Sequence, residues 1–289
     1  MSWRLEVNHT TRYRYDRAVV ASYNEARVTP LSTADQVVID ARVMVGPAAE
    51  MFTYWDYWGT LVHAFDVHHP HESLVITAKA VVETAFSLPA PPDQPPRPGP
   101  GSVTWDGLAD AAVQDRFYEL LAPSPLVGPV AFAEVASRWR RDCATPGQAV
   151  EAVVEWAHGE LEYGLGATHV GTSALEAWHA RRGVCQDFAH VSLAVLRAMG
   201  IPARYVSGYF YPNAEAAVGA KVTGESHAWV EAWTGDWAAH DPTNRVRVGE
   251  RHVIVARGRD YSDVAPLRGI YSGPAGSSTE VTVELVRRA

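Results

Sequence analysis

A chain of 289 residues, 47% apolar and 20% charged, is long enough for one large or two modest domains and apolar enough to bury a core. Its net charge of −8 argues against nucleic-acid binding as the main task, and no apolar run approaches the roughly 18 residues that span a bilayer. Two cysteines, Cys143 and Cys185, fit a reducing cytoplasm better than a disulfide framework, and the alternating, charged segment Met1 to Thr10 does not read as a signal peptide.

Residues 3–88 predict strands. Trp3-Leu5-Val7, Thr11-Tyr13-Tyr15 and Val37 to Val45 alternate with polar neighbours, and 60–68 and 73–86 continue the pattern. Turn signals fall at Gly46-Pro47, Trp58-Gly59 and His69-Pro70. Short strands between turns point to a small β-sandwich. The aromatic cluster Tyr54-Trp55-Asp56-Tyr57-Trp58 is read as filling a core or a domain seam rather than as a binding surface. Pro89 to Gly101 holds seven prolines and two glycines, a composition for an extended linker with polyproline II character.

From Trp105 the apolar period becomes helical. Helices are expected over 108–121, over 130–141 with Phe132, Val135, Ala136 and Trp139 on one side, and from Thr145-Pro146 to about Glu160. A short helix over 173–180 leads into Arg182-Gly183-Val184-Cys185, after which Leu193, Leu196 and Met199 recur at helical spacing and Gly200 and Pro202 end the element. Cys185 thereby opens a helix, where free N–H groups and the macrodipole favour an anionic nucleophile. Strands are expected over 203–211, 225–233, 237–241, 252–257 and 280–286. Helices first and strands afterwards make the second part α+β, with one mostly antiparallel sheet.

On the strand Ser226 to Trp233, alternation puts His227, Trp229, Glu231 and Trp233 on one face. The next strand ends at Asp241-Pro242. A cysteine at a helix start, a histidine on one strand and an aspartate closing the next supply a nucleophile, a base and the group that orients the base. Cys143 is read as structural. Asp187 reads as a helix cap at least as readily as a substrate contact; His190, about 140° around the helix from Cys185, and His240, on the opposite strand face from Asp241, are left out of the site. Paired ligands at zinc-site spacing are absent, so no metal and no cofactor are assigned.

Four segments resemble the core of the transglutaminase-like superfamily, and more narrowly its bacterial cysteine-protease branch. They are Gly183-Val184-Cys185-Gln186-Asp187-Phe188-Ala189-His190, the run from Leu196 to Tyr209, Ser226-His227-Ala228-Trp229-Val230-Glu231, and Asp241-Pro242-Thr243-Asn244. The resemblance carries the family's catalytic Cys, His and Asp onto Cys185, His227 and Asp241. It implies an N-terminal β-domain ahead of a papain-like core whose nucleophile helix packs on an antiparallel sheet. The chain divides accordingly into a β-domain (1–88), a Pro-rich linker (89–104) and a catalytic domain (105–289), which is expected to fold without the first.

The resemblance also implies that a second oxyanion donor comes from residues 163–170. The tryptophan of the animal cross-linking enzymes is missing there, which leaves Tyr163 or His169. Gln186 beside the nucleophile, Trp229 as a wall and Asp260 at the cleft complete the candidate substrate contacts; Asp260 reads equally as part of a charged turn. The expected reaction is cleavage of a peptide or isopeptide bond in a peptide or protein substrate, with transamidation or a non-catalytic binding module as alternatives. Relatives encoded beside ATP-grasp ligase-like and proteasome-like proteins imply a functional link to those; no nucleic-acid or membrane partner is expected.

Overall fold

The computed structural model describes residues 2–85 and 99–289. Most of the expected linker, residues 89–98, lies outside them. The first part is built from strands β1 (Trp3–Val19), β2 (Ala21–Ala26), β3 (Gln36–Gly46), β4 (Met51–Trp55), β5 (Leu61–Val67) and β6 (His71–Thr84). The two expected strands at its start are one strand of 17 residues, because alternation of burial runs through the polar residues between them. His9 and Thr11 are buried and bonded to each other, Nε2 to Oγ1 at 3.0 Å, so they occupy inward positions without an unmet polar group.

Next come α1 (Trp105–Leu108), α2 (Ala111–Arg116), α3 (Tyr118–Leu121), a 3₁₀ turn at Pro129–Phe132, α4 (Ala133–Asp142) and α5 (Pro146–Glu160). Thr145 accepts the Gln148 N–H ahead of Pro146, the cap its sequence signals. β7 (Glu162–Tyr163), α6 (Ala174–Ala180), β8 (Arg182–Gly183) and α7 (Cys185–Ala198) follow. The chain ends with β9 (Ala203–Phe210), β10 (Lys221–Trp233), β11 (Trp237–Asp241), β12 (Val246–Arg247), β13 (His252–Gly258), α8 (Tyr261–Val264), β14 (Leu267–Ser272) and β15 (Ser277–Arg287).

β9 to β13 form the antiparallel sheet expected of the second part, in the order β12-β11-β10-β9-β13. Ala228, Val230 and Ala232 turn one face of β10 to the core that contains α7, whose residues from Gln186 to Arg197 are all buried. The other face carries Trp229, packed with Leu31, Val206 and Ile254.

The sandwich is not made by the first part alone. β15 pairs with β1 from Leu5↔Arg287 to Tyr15↔Ser277, and β14 pairs with β2. β10 joins both regions, pairing with β15 at Lys221–Gly224 and with β9 from Glu225. Trp3, Leu5, Val7 and Val82 share one core with α7. The last strands thus return to the first sheet, and one core crosses the proposed boundary, features at odds with residues 105–289 standing alone.

The aromatic cluster is also corrected. Trp55 and Tyr57 are exposed, as is the neighbouring Phe52. Tyr57 donates to Glu119 and Trp58 lies under Arg259, so the hairpin touches the second part at its edge rather than filling a seam.

Candidate active site

Three elements set the geometry. α7 starts at Cys185, and Asp187 fixes that start: its Oδ2 accepts the Val184 N–H at 2.7 Å and the Thr168 hydroxyl at 2.6 Å. Gly183 makes room for this, since a Cβ there would sit 2.5 Å from the same oxygen. Asp187 is fully buried, which settles its role as a cap that also ties down the loop before α6.

His227 lies just past the point where β10 exchanges β15 for β9. Its partner in register is Gly208, where any Cβ would meet the Val253 carbonyl oxygen and the Trp229 ring. His227 Nε2–H donates to Asp241 Oδ2 at 2.7 Å, which leaves Nδ1 as the ring nitrogen available to Cys185, with which His227 lines one cavity. Burial works against a charge on His227. Bonds to Asp241 and to the sulfur, with the charges of both, outweigh it and push the pKa up to about 10. The imidazole therefore carries its proton at neutral pH.

Asp241 closes β11 and accepts from all sides. Oδ2 takes His227, His252 Nε2–H at 3.2 Å and the Asn244 amide at 2.7 Å; Oδ1 takes the backbone N–H groups of Thr243 and Asn244. Burial would raise its pKa, but these bonds hold it far below the usual carboxylate range. His252 and Asn244 were not legible as site residues. His252 reaches the carboxylate from β13, and Gly249 N–H donates to its Nδ1, so that Nε2 keeps the proton.

A cavity of about 360 Å³ opens at Cys185 and His227, with Tyr163 and Gln186 in its wall. Tyr163 is pushed up to about 12 by burial and by the charges of Glu225 and Cys185, so it remains an O–H donor. Gln186 lines the cavity while its amide donates to Val170 O. The other expected contacts lie elsewhere. His169 accepts the Gly171 N–H on its own loop. Trp229 shares the His227 face of β10, its ring 6.2 Å from that of His227 and 5.2 Å from that of His252, but it is fully buried and does not line the cavity. Asp260 is fully buried and accepts the Leu126 and Ser262 N–H groups, so its turn reading holds; its neighbour Tyr261 lines the cavity instead. Val281 and Val283 bring β15 into the same wall.

Buried histidines outside the triad carry an acid-stability signature, His63 and His252 being lowered by burial as well as the three that follow. His9, His190 and His240 are buried, and burial lowers each to about 4. Unfolded, they take up protons near 6.5, so stability present above that pH is lost as it falls toward 4. Each group costs up to about 1.4 kcal/mol per pH unit in that window. His227 has the opposite sign: charged in both states below 6.5, it adds no slope there. Melting temperature is expected to fall steeply between pH 6.5 and 4.5; a flat profile would show that these side chains are not buried neutral.

Residues 5–83 match the family described as the bacterial transglutaminase-like N-terminal region, and residues 133–242 the transglutaminase-like superfamily. An uncharacterized protein of Mycobacterium leprae is 48% identical over 289 residues, covering 99% of this chain and 100% of the relative. A protein-glutamine gamma-glutamyltransferase of Pseudomonas aeruginosa is 31% identical over 151 residues, which is 50% of this chain and 23% of that one. A crystal structure of a putative cysteine protease from Cytophaga hutchinsonii superposes with a TM-score of 0.77 at 24% identity, covering 100% of this chain and 92% of that one; the likeness is one of fold.

Proposed function

The chain belongs to the transglutaminase-like superfamily, and on that premise we propose that it is a cysteine-dependent amidohydrolase cleaving a peptide or isopeptide bond. The observation that carries the reading is that His227, bonded to the Asp241 carboxylate at 2.7 Å, lines one cavity with a cysteine at a helix start.

The thiolate of Cys185 adds to the amide carbon. The resulting oxyanion takes the Cys185 N–H at the N-terminus of α7 and the Tyr163 hydroxyl as donors. His227 gives its proton to the amide nitrogen, the C–N bond breaks, and the amine leaves an acyl-thioester. The neutral imidazole then takes a proton from water as its oxygen adds to the thioester carbon. Collapse releases the carboxylic acid, the sulfur leaves as thiolate, and the His227 imidazolium is restored. Asp241, held by His252 and Asn244, keeps His227 oriented and favours its charged form throughout.

Water as acceptor is supported by the surroundings of the thiol. Of the apolar side chains lining the cavity, Leu165, Val170 and Val281 are exposed by 76%, 62% and 51%, which leaves that side open to solvent. Trp233, on the same strand as His227, packs against Phe117 and walls nothing there. Transamidation is the second reading, favoured by the name of the Pseudomonas relative. Incubating an amide-linked or glutamine-containing peptide with a labelled primary amine at about 1 mM, a typical upper substrate concentration, separates the two. Free acid is expected to predominate; an excess of amine adduct overturns hydrolysis and leaves the triad in place.

A further inference from the structure

Two cavities meet at His227. The first, of about 360 Å³, holds Cys185 beside Leu165, Val170 and Val281. The second, of about 320 Å³, is lined by Phe210, Pro212, Thr243 and Asn244 and does not include the thiol. Tyr163, Glu225 and His227 line both, so these three side chains form the doorway between them. Glu225 is exposed there, and among the described residues no lysine or arginine lines either cavity. Arg251 lies over the Phe210 ring, but its guanidinium is committed to the carbonyl oxygens of Tyr211 and Pro212.

The order of bond changes separates the two spaces. The acyl carbon becomes bonded to sulfur, so the acyl part of the substrate stays in the first cavity. The amide nitrogen receives its proton from His227, and the amine departs past that side chain, which borders the second cavity as well. We infer that the second cavity is the leaving-group subsite and that Glu225 at its doorway selects leaving amines that carry a further cationic group. A diamine acylated on one of its amines has such a leaving group, and so does a peptide bond followed by a basic residue. This rests on the cysteine amidohydrolase reading. A carboxylate at an open rim contributes modestly, up to roughly 5-fold in selectivity. The absence of an opposing cation from the lining gives that preference one sign.

The test uses three peptidyl amides with one acyl part and leaving groups of equal length: a diamine, a neutral alkylamine and an ω-amino acid. They are compared on the full chain, on Glu225→Gln, on Glu225→Lys and on Cys185→Ala. Native protein is expected to rank diamine over neutral amine over amino acid in kcat/KM, by roughly 5-fold per step. Glu225→Gln should level the ranking and Glu225→Lys should reverse it. An unchanged ranking in Glu225→Gln overturns the role of Glu225 while the hydrolase stands. Native-rate cleavage by Cys185→Ala overturns the hydrolase reading, and this one with it.

Discussion

His227→Ala is expected to lower amide cleavage by roughly 10²-fold or more, the usual worth of a positioned general acid–base. The residue is assigned two jobs: it is the base that takes the thiol proton of Cys185, and it delivers a proton to the leaving amine. The first can be read without any substrate. In native protein at pH 6, iodoacetamide should label Cys185 ahead of Cys143, whose pKa is raised by burial and by Asp142. His227→Ala should erase that preference. The fold should survive, because Asp241 keeps His252, Asn244 and two backbone N–H groups as partners. The variant is expected to lose about 1–3 kcal/mol of stability, the cost of one buried polar partner. A His227→Ala protein that cleaves at the native rate and still labels Cys185 first would remove His227 from the mechanism.

A chain begun at Trp105 is expected to be unfolded. Such a chain loses β1, the partner of β15 along its length, and the buried side chains of Trp3, Leu5, Val7 and Val82 from the core around α7. Full burial of a large apolar side chain is worth about 1.5–3 kcal/mol, and whole domains are stable by only about 5–15 kcal/mol. Four such losses approach the total, before counting the exposed edge of β15. The same strand supplies Val281 and Val283 to the wall of the catalytic cavity, so partial folding would still deform the site. Circular dichroism and thermal melting decide the matter: a cooperative transition near that of the full chain would show that the two parts have separate cores after all.

That the two parts share strands and a core is not legible in the sequence, for a definite reason. Periodicity reports which face of an element is buried, not which strand it pairs with. The segment 280–286 reads correctly as a strand, yet nothing local says that it returns to residues 5–15. Within the site, Cys185, His227 and Asp241 were legible because each sits at a recognisable place: the start of a helix, an inward position of a strand, a turn before proline. Trp229 was placed on the correct face, that of His227, but Leu31 of the first part covers it there, which keeps it out of the cavity wall. Asp260 and His169 are polar groups at turns, and both spend their bonds on nearby backbone. His252 left no local signal, since its value lies in a register that brings β13 alongside β9. The exposed Trp55 and Tyr57 show the limit of composition alone, for aromatics are read as buried unless the edge of a sheet is known.

The covalent intermediate is the central claim, and it can be weighed directly. Full-length protein mixed with a peptide library of amide-linked substrates, quenched in acid within the first turnovers and digested, should show one new adduct by mass spectrometry. The account places that adduct on Cys185 as a thioester, labile to hydroxylamine, absent in Cys185→Ala and accumulating in no peptide that contains Cys143. Substrate turnover by the native protein with unmodified Cys185, or turnover that persists in Cys185→Ala, would contradict it.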